Sequence, residues 1–136
     1  SWNNVSNYWP GGQYVDWIGL DGYNFYPQDP WGGKRPLRDF DNCFRALYDS
    51  CAVLGDHPMM IAEFGTGEFK ADDFDKAAWI TDAFEKIETE YPRIKIFTWF
   101  NINKELDWRV NSSAESLSAF KSAMESPYYI PEKLHD

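Results

Sequence analysis

The stretch Met59–Met60–Ile61–Ala62–Glu63–Phe64–Gly65 runs an apolar segment straight into a carboxylate. Bounded by Pro58 and Gly65, it has the pattern of a buried parallel strand. Placing Glu63 at its end is costly unless the carboxylate is partnered or has chemistry to do, because an unpaired buried charge is strongly disfavoured. Two readings follow. Glu63 is either a rim residue paired with Arg or Lys, or a catalytic carboxylate. The carboxyl ends of strands in parallel α/β barrels are where catalytic groups sit. The residues elsewhere in the chain favour the second reading.

Aromatic side chains are the next signal. The chain holds seven Trp, eight Tyr and ten Phe in 136 residues. Such rings fill cores by virtue of their buried area. They also offer flat apolar faces on which sugars can stack, and so many Trp in so short a chain favours that use for some of them. Trp17 and Trp79 fall within predicted secondary structure and read as core. Trp2 and Trp9 lie in a lead-in loop and suit either a substrate rim or an edge cover. Trp31, in Pro30–Trp31–Gly32–Gly33, is an exposed-loop residue and a candidate binding subsite.

The net charge of −9 argues against nucleic acid or an anionic membrane as partner. No apolar run reaches the length of a membrane span, and the first residues lack the plan of a signal peptide. Cys43 and Cys51 lie eight positions apart on one predicted helix. At about 1.5 Å per residue they are ~12 Å apart, beyond disulfide reach, so they read as buried thiols. With only His57 and His135 and no Cys/His cluster, the sequence predicts no metal site and calls for no cofactor. His57 precedes a strand at the end opposite the candidate site and reads as structural.

Three strands and three helices position these residues. The strands are predicted at Tyr14–Leu20, leading into Asp21–Gly22–Tyr23–Asn24, at Pro58–Glu63, and at Ile94–Phe100. The first helix, Leu37–Leu54, carries Leu37, Phe40, Phe44, Leu47, Cys51 and Leu54 on one face, with Gly55 after its end. The second, Asp73–Tyr91, is capped by Asp72 or Asp73 and stopped by Pro92. Its stripe is Phe74, Ala77, Thr81, Phe84, Ile87 and Tyr91. The third starts at Ser112, where Ser112-x-x-Glu115 has capping-box spacing. Residues 1–12 read as a lead-in loop and 127–136 as an irregular tail. The β-α-β-α-β-α order implies an α/β fold with parallel strands. Three units are too few for a closed barrel, which needs eight and about 250 residues. The chain therefore reads either as part of a larger barrel, its edges covered by the remaining barrel half or by a second copy, or as a small complete α/β domain.

Taken together, Tyr14–Asn24, Pro58–Gly65, and Phe97–Asn101 with Asp107–Trp108–Arg109 resemble the C-terminal portion of glycoside hydrolase family 26, over about Gly12 to Phe120. That family comprises mainly β-mannanases, with some β-glucanases and β-xylanases. The resemblance implies a partial (β/α)8 TIM barrel, the three strands being the sixth to eighth. It implies a secreted, retaining endo-β-glycanase acting on a β-linked polysaccharide, β-1,4-mannan first. It identifies Glu63 with the catalytic nucleophile, Tyr23 with a phenol that touches it, and Trp99 with the aromatic floor beneath the cleaved sugar. Asp21, Asn24, Phe64, Trp108 and Arg109 would line or brace the site.

The chemistry suits these residue types. A retaining glycosidase needs two carboxyl groups about 5–5.5 Å apart, a phenol donating to the nucleophile holds it ionised, and an indole face favours an oxocarbenium-like transition state. The family's acid/base Glu comes from the fourth strand, which the 136 residues do not include. Glu68 and Glu105 sit in polar loops and read as solvated surface acids, so the chain alone is expected to be inactive. Lys104–Glu105 reads as a weak surface ion pair. Asp107–Trp108–Arg109 fits a structural ion pair around a ring as well as it fits substrate contact. The rival reading from another class is a non-catalytic carbohydrate-binding or structural α/β module.

Overall fold

The computed structural model describes residues 3–69 and 74–129. Trp2, Asp72, Asp73 and His135 lie outside them. Two short 3₁₀ turns, Val5–Asn7 and Gly12–Tyr14, lead into β1 (Ile18–Asn24), α1 (Phe40–Ala52), β2 (Met59–Thr66), α2 (Lys76–Glu90), β3 (Ile94–Trp99) and α3 (Ala114–Met124). The strands form one parallel sheet in the order β1-β2-β3. The α/β reading with three βα units is what the chain adopts.

The helices cover one face of this sheet. Ile18, Leu20, Met59, Ile61, Phe64, Ile94, Phe97 and Trp99 point toward them and join Phe40, Phe44, Trp79, Ile80, Phe84 and Ile87 in a single core. α1 closes onto β1 at Gly22, where a Cβ would meet Phe44 Cζ at 2.6 Å, so a side chain is excluded there. The opposite face, which carries Asp21, Tyr23 and Glu63, has no helix over it among the described residues.

Several boundaries differ from expectation. β1 starts at Ile18 rather than Tyr14, which sits in a 3₁₀ turn. Trp17, expected in the core, is 41% exposed just ahead of the strand. β2 continues to Thr66, so Glu63 lies within the strand. α1 begins at Phe40, capped by Asp39, whose side chain accepts from the Asn42 amide; Leu37 falls outside it and is exposed. Asp75 caps α2, and the buried stripe is Lys76, Trp79, Ile80, Ala83, Phe84 and Ile87. The expected Ala77–Thr81 line is thus rotated, because the bulky Trp79 and Ile80 take the core. Ser113, not Ser112, caps α3 by accepting from the Ser116 amide. This displacement frees the Ser112 hydroxyl for the polar network described below.

The register of β2 slips beyond Ile61 against both neighbours, and against β3 it also slips between Met59 and Met60. Leu20 pairs with Ile61, but Asp21 pairs with Glu63; on the other side Ile61 pairs with Phe97, and Phe64 with Trp99. Ala62 is the extra residue, a β-bulge of the kind that re-aims a side chain. After it, Glu63 faces the open side beside Asp21, and Phe64 faces the core.

Candidate active site

Glu63 and Tyr23 meet on the open face. Tyr23 lies two residues beyond Asp21 on β1, next to Gly65 on β2, and its phenol donates to the Glu63 carboxylate. Burial, then this hydrogen bond, pushes the Tyr23 phenol above its ordinary range; the Glu63, Asp21 and Glu105 charges act in the same direction. The phenol therefore keeps its proton at neutral pH and is available as a donor. Asp21, Glu63 and Glu105 make the surroundings of this hydroxyl acidic.

The rings around Tyr23 are Phe25 at 5.3 Å, Trp108 at 5.5 Å and Phe100 at 5.8 Å between centroids. Trp108 is fully buried. It fits there because its neighbour on the strand is glycine: a Cβ at Gly65 would stand 3.4 Å from Trp108 Cε3. Trp108 thus braces Tyr23 and offers no free face. Phe25 and Phe100 are half-buried on the open side; the sequence reading did not single them out.

Trp99 is not part of this gathering. It is 9% exposed and packs against Phe64, Trp79, Phe84 and Phe120, with its indole N–H donating to the Trp108 carbonyl at 2.7 Å. It shares the core face of β3 with Phe97, so its ring cannot serve as a floor for a sugar. Phe64 is likewise fully buried between sheet and helices, where it braces rather than lines. Asn24 is buried too. Its amide donates to Thr66 Oγ1 at 3.0 Å, and its carbonyl oxygen accepts from the Tyr26 and Arg38 amides. It ties the end of β1 to β2 and to the loop beyond.

The segment that carries Trp108 is fastened from below. Lys76 Nζ, at the buried start of α2, donates to the carbonyls of Asp107 at 3.0 Å and Arg109 at 2.9 Å and to Ser112 Oγ at 2.8 Å. Ser112 and Ser116 hydroxyls donate in turn to Glu68 Oε2. Glu68 is therefore an anchored acid and not a solvated one. Burial pulls the Lys76 ammonium down to about 8, against the nearby Glu68 and Asp107 charges that raise it. Arg109 forms a two-pronged pair with Asp107, at 2.8 and 2.6 Å. This is the structural ion pair around a ring, its guanidinium directed at Asp107. Lys104 and Glu105 stand 3.7 Å apart, a loose surface pair.

Trp31 is 84% exposed on the β1–α1 loop. Buried Asp29 organises that loop: Oδ1 accepts from the Trp31 amide at 3.0 Å and the Gly33 amide at 2.8 Å, and Oδ2 from Arg35 Nε at 2.7 Å. These bonds, led by that of Gly33, hold the Asp29 carboxyl below the usual carboxylate range. The sequence signal for this platform is an Asp followed by Pro and two glycines.

At the other end of the sheet, Trp9 meets His57 edge-on at 5.3 Å, and the His57 ring contacts the Gly12 carbonyl at 3.0 Å. Trp9 therefore covers the sheet end away from Glu63. Both cysteines are free, and burial pushes the Cys43 thiol up to about 12. Among the described residues no group of three His, Cys, Asp or Glu could hold a metal ion, and no helix is long and apolar enough to cross a membrane.

No protein-family model matches the chain. It is 39% identical over 128 residues to Endoglucanase H of Acetivibrio thermocellus, an alignment covering 90% of this chain and 14% of that protein. The chain thus spans about one seventh of that relative's length. A solved family 5 xyloglucanase from Paenibacillus pabuli, in complex with ligand, aligns with 91% of this chain and 35% of its own at a TM-score of 0.43 and 15% identity. A likeness of that degree adds no weight to the architecture described above.

Proposed function

We propose that this chain is part of a retaining endo-β-glycanase in which Glu63 is the nucleophile and Tyr23 positions it. The observation that carries the reading is the Tyr23 phenol donating to the Glu63 carboxylate on the open face of a parallel sheet, beside Asp21. A lectin-like module has no need of a strand carboxylate aimed by a phenol. In the proposed reaction Glu63 attacks the anomeric carbon and expels the leaving sugar, which a general acid elsewhere in the longer protein protonates. Water activated by the same group then releases the glycosyl ester, so configuration is retained. The remaining barrel half would supply that acid, cover both sheet edges and complete the substrate groove. Such an enzyme would work outside the cell, where its polysaccharide is.

For the sugar, the 39% identity to a protein named an endoglucanase favours a β-glucan. β-1,4-Mannan is the second reading, supported by the family 26 resemblance of the three strand motifs. The test is hydrolysis by the longer protein on β-glucan, mannan and xylan, together with trapping by a slow-turnover fluorinated glycoside and mass spectrometry of the labelled peptide. Cleavage of β-glucan, a label on Glu63, and loss of cleavage in a folded Glu63→Ala variant are expected. No cleavage of any β-glycan, or a label elsewhere, refutes the proposal.

A further inference from the structure

A cavity of about 360 Å³ adjoins Tyr23 on the side away from β3 and is lined by Tyr23, Phe25, Asp29, Trp31, Arg35, Pro36 and Arg38. We infer that it is a second sugar-binding subsite, with Trp31 as its stacking platform, that takes a neutral pyranose unit of the chain whose neighbouring unit lies at Glu63. This rests on the glycanase reading proposed above.

Three observations support the inference. Trp31 is 84% exposed, yet its backbone is fixed, because the buried Asp29 carboxylate accepts from the Trp31 and Gly33 amides and from Arg35. A buried acid spent on presenting an indole to solvent has no use in packing. The cavity shares Tyr23 with the Glu63 pair, so a chain lying across Tyr23 would reach both places. Its size falls in the range of ligand sites, roughly 300–1,000 Å³.

The lining selects the ligand class. Arg35 is already neutralised by Asp29, which leaves Arg38 as the remaining cationic side chain of the lining. A flat indole with guanidinium N–H groups nearby suits a hydroxyl-rich ring whose axial hydrogens form an apolar face.

The test uses the longer protein in its non-cleaving Glu63→Ala form, with the indole N–H resonance of Trp31 identified by its disappearance when Trp31→Phe is added. β-1,4-Glucan oligosaccharides from disaccharide to hexasaccharide are titrated in. The Trp31 resonance should move with the longer ligands. Trp31→Ala should weaken their binding roughly fivefold to tenfold and leave the disaccharide unaffected. Asp29→Ala, which leaves the indole in place but releases its loop, should weaken the longer ligands in the same sense. If oligosaccharides bind and perturb Tyr23 while Trp31 is silent and Trp31→Ala binds as well as the parent, the subsite is refuted and the glycanase reading stands. If no oligosaccharide binds that protein, the subsite is refuted as well, and hydrolysis by the parent decides the glycanase reading by itself.

Discussion

The phenol–carboxylate pair is the smallest unit to which chemistry can be assigned. Removing the Tyr23 hydroxyl deletes a hydrogen bond to a charged group, worth about 1.5–3 kcal/mol. In the complete enzyme, Tyr23→Phe should therefore lower kcat/KM about 10- to 100-fold, read from initial rates on a soluble β-glucan; an unchanged rate would separate the phenol from catalysis. The same bond can be read from the other partner. Glu63 contributes to the raised phenol, second to burial. In Glu63→Gln the Tyr23 phenol should ionise at lower pH than in the parent, though still above an ordinary tyrosine. The absorbance difference between each protein and its Tyr23→Phe counterpart isolates this one group. An identical titration with and without the carboxylate would show that burial alone holds the phenol neutral.

Among the elements, the close approach of α1 to β1 depends on Gly22. Gly22→Ala sets a methyl against the Phe44 ring and should cost about 1–3 kcal/mol, seen as a lower urea midpoint. Phe44→Leu in the same chain should recover part of it. Lys76 gives the helix-to-loop fastening a pH signature. Its folded value is near 8, against an ordinary 10.5 in the unfolded chain. Between these values the unfolded state holds more protons at this site, so stability rises with pH through that window. Below about 8 both states are charged and the burial cost is fully present. Cys43 acts oppositely above its ordinary value, so the comparison must be with Lys76→Met. The parent should gain on the variant as pH climbs from about 8 toward 10, and a gap that does not change with pH would sink the assignment. Much of this layer is legible in the sequence: three βα units, helix faces such as Phe40–Phe44–Cys51, and the apolar run of β2 that leads to Glu63. Trp99 was misjudged for a definable reason. Alternation along Ile94–Phe100 groups Phe97 with Trp99 and Ile96 with Phe100, but both groups are apolar, so period alone does not say which faces the helices. Lys76 and Glu68 were missed because a buried ion network has no periodic trace; its members are brought together only by the fold.

At the scale of the whole molecule, both outer strands have an unpaired edge among the described residues, and the open face leaves Ile96 45% exposed. Such edges template further pairing. The isolated chain should therefore show a mass that grows with concentration in light scattering, and Ile96→Lys should suppress that growth. A strictly monomeric parent would mean that the edges are protected by other means. The side of the sheet on which any of this chemistry happens is decided by a single irregularity that contributes no functional group. Were Ala62, Glu63 and Phe64 to follow Ile61 in strict alternation, with no bulge, the rest of β2 would turn over. The Glu63 carboxylate would then be driven among Phe40, Phe44 and Phe84, and the Phe64 ring would be stranded in water. Deleting Ala62 removes the extra residue and should accordingly keep Glu63 on the open face beside Asp21. With Ala62 present, the chemistry demands a break in the rhythm of this strand, whatever side chain provides it.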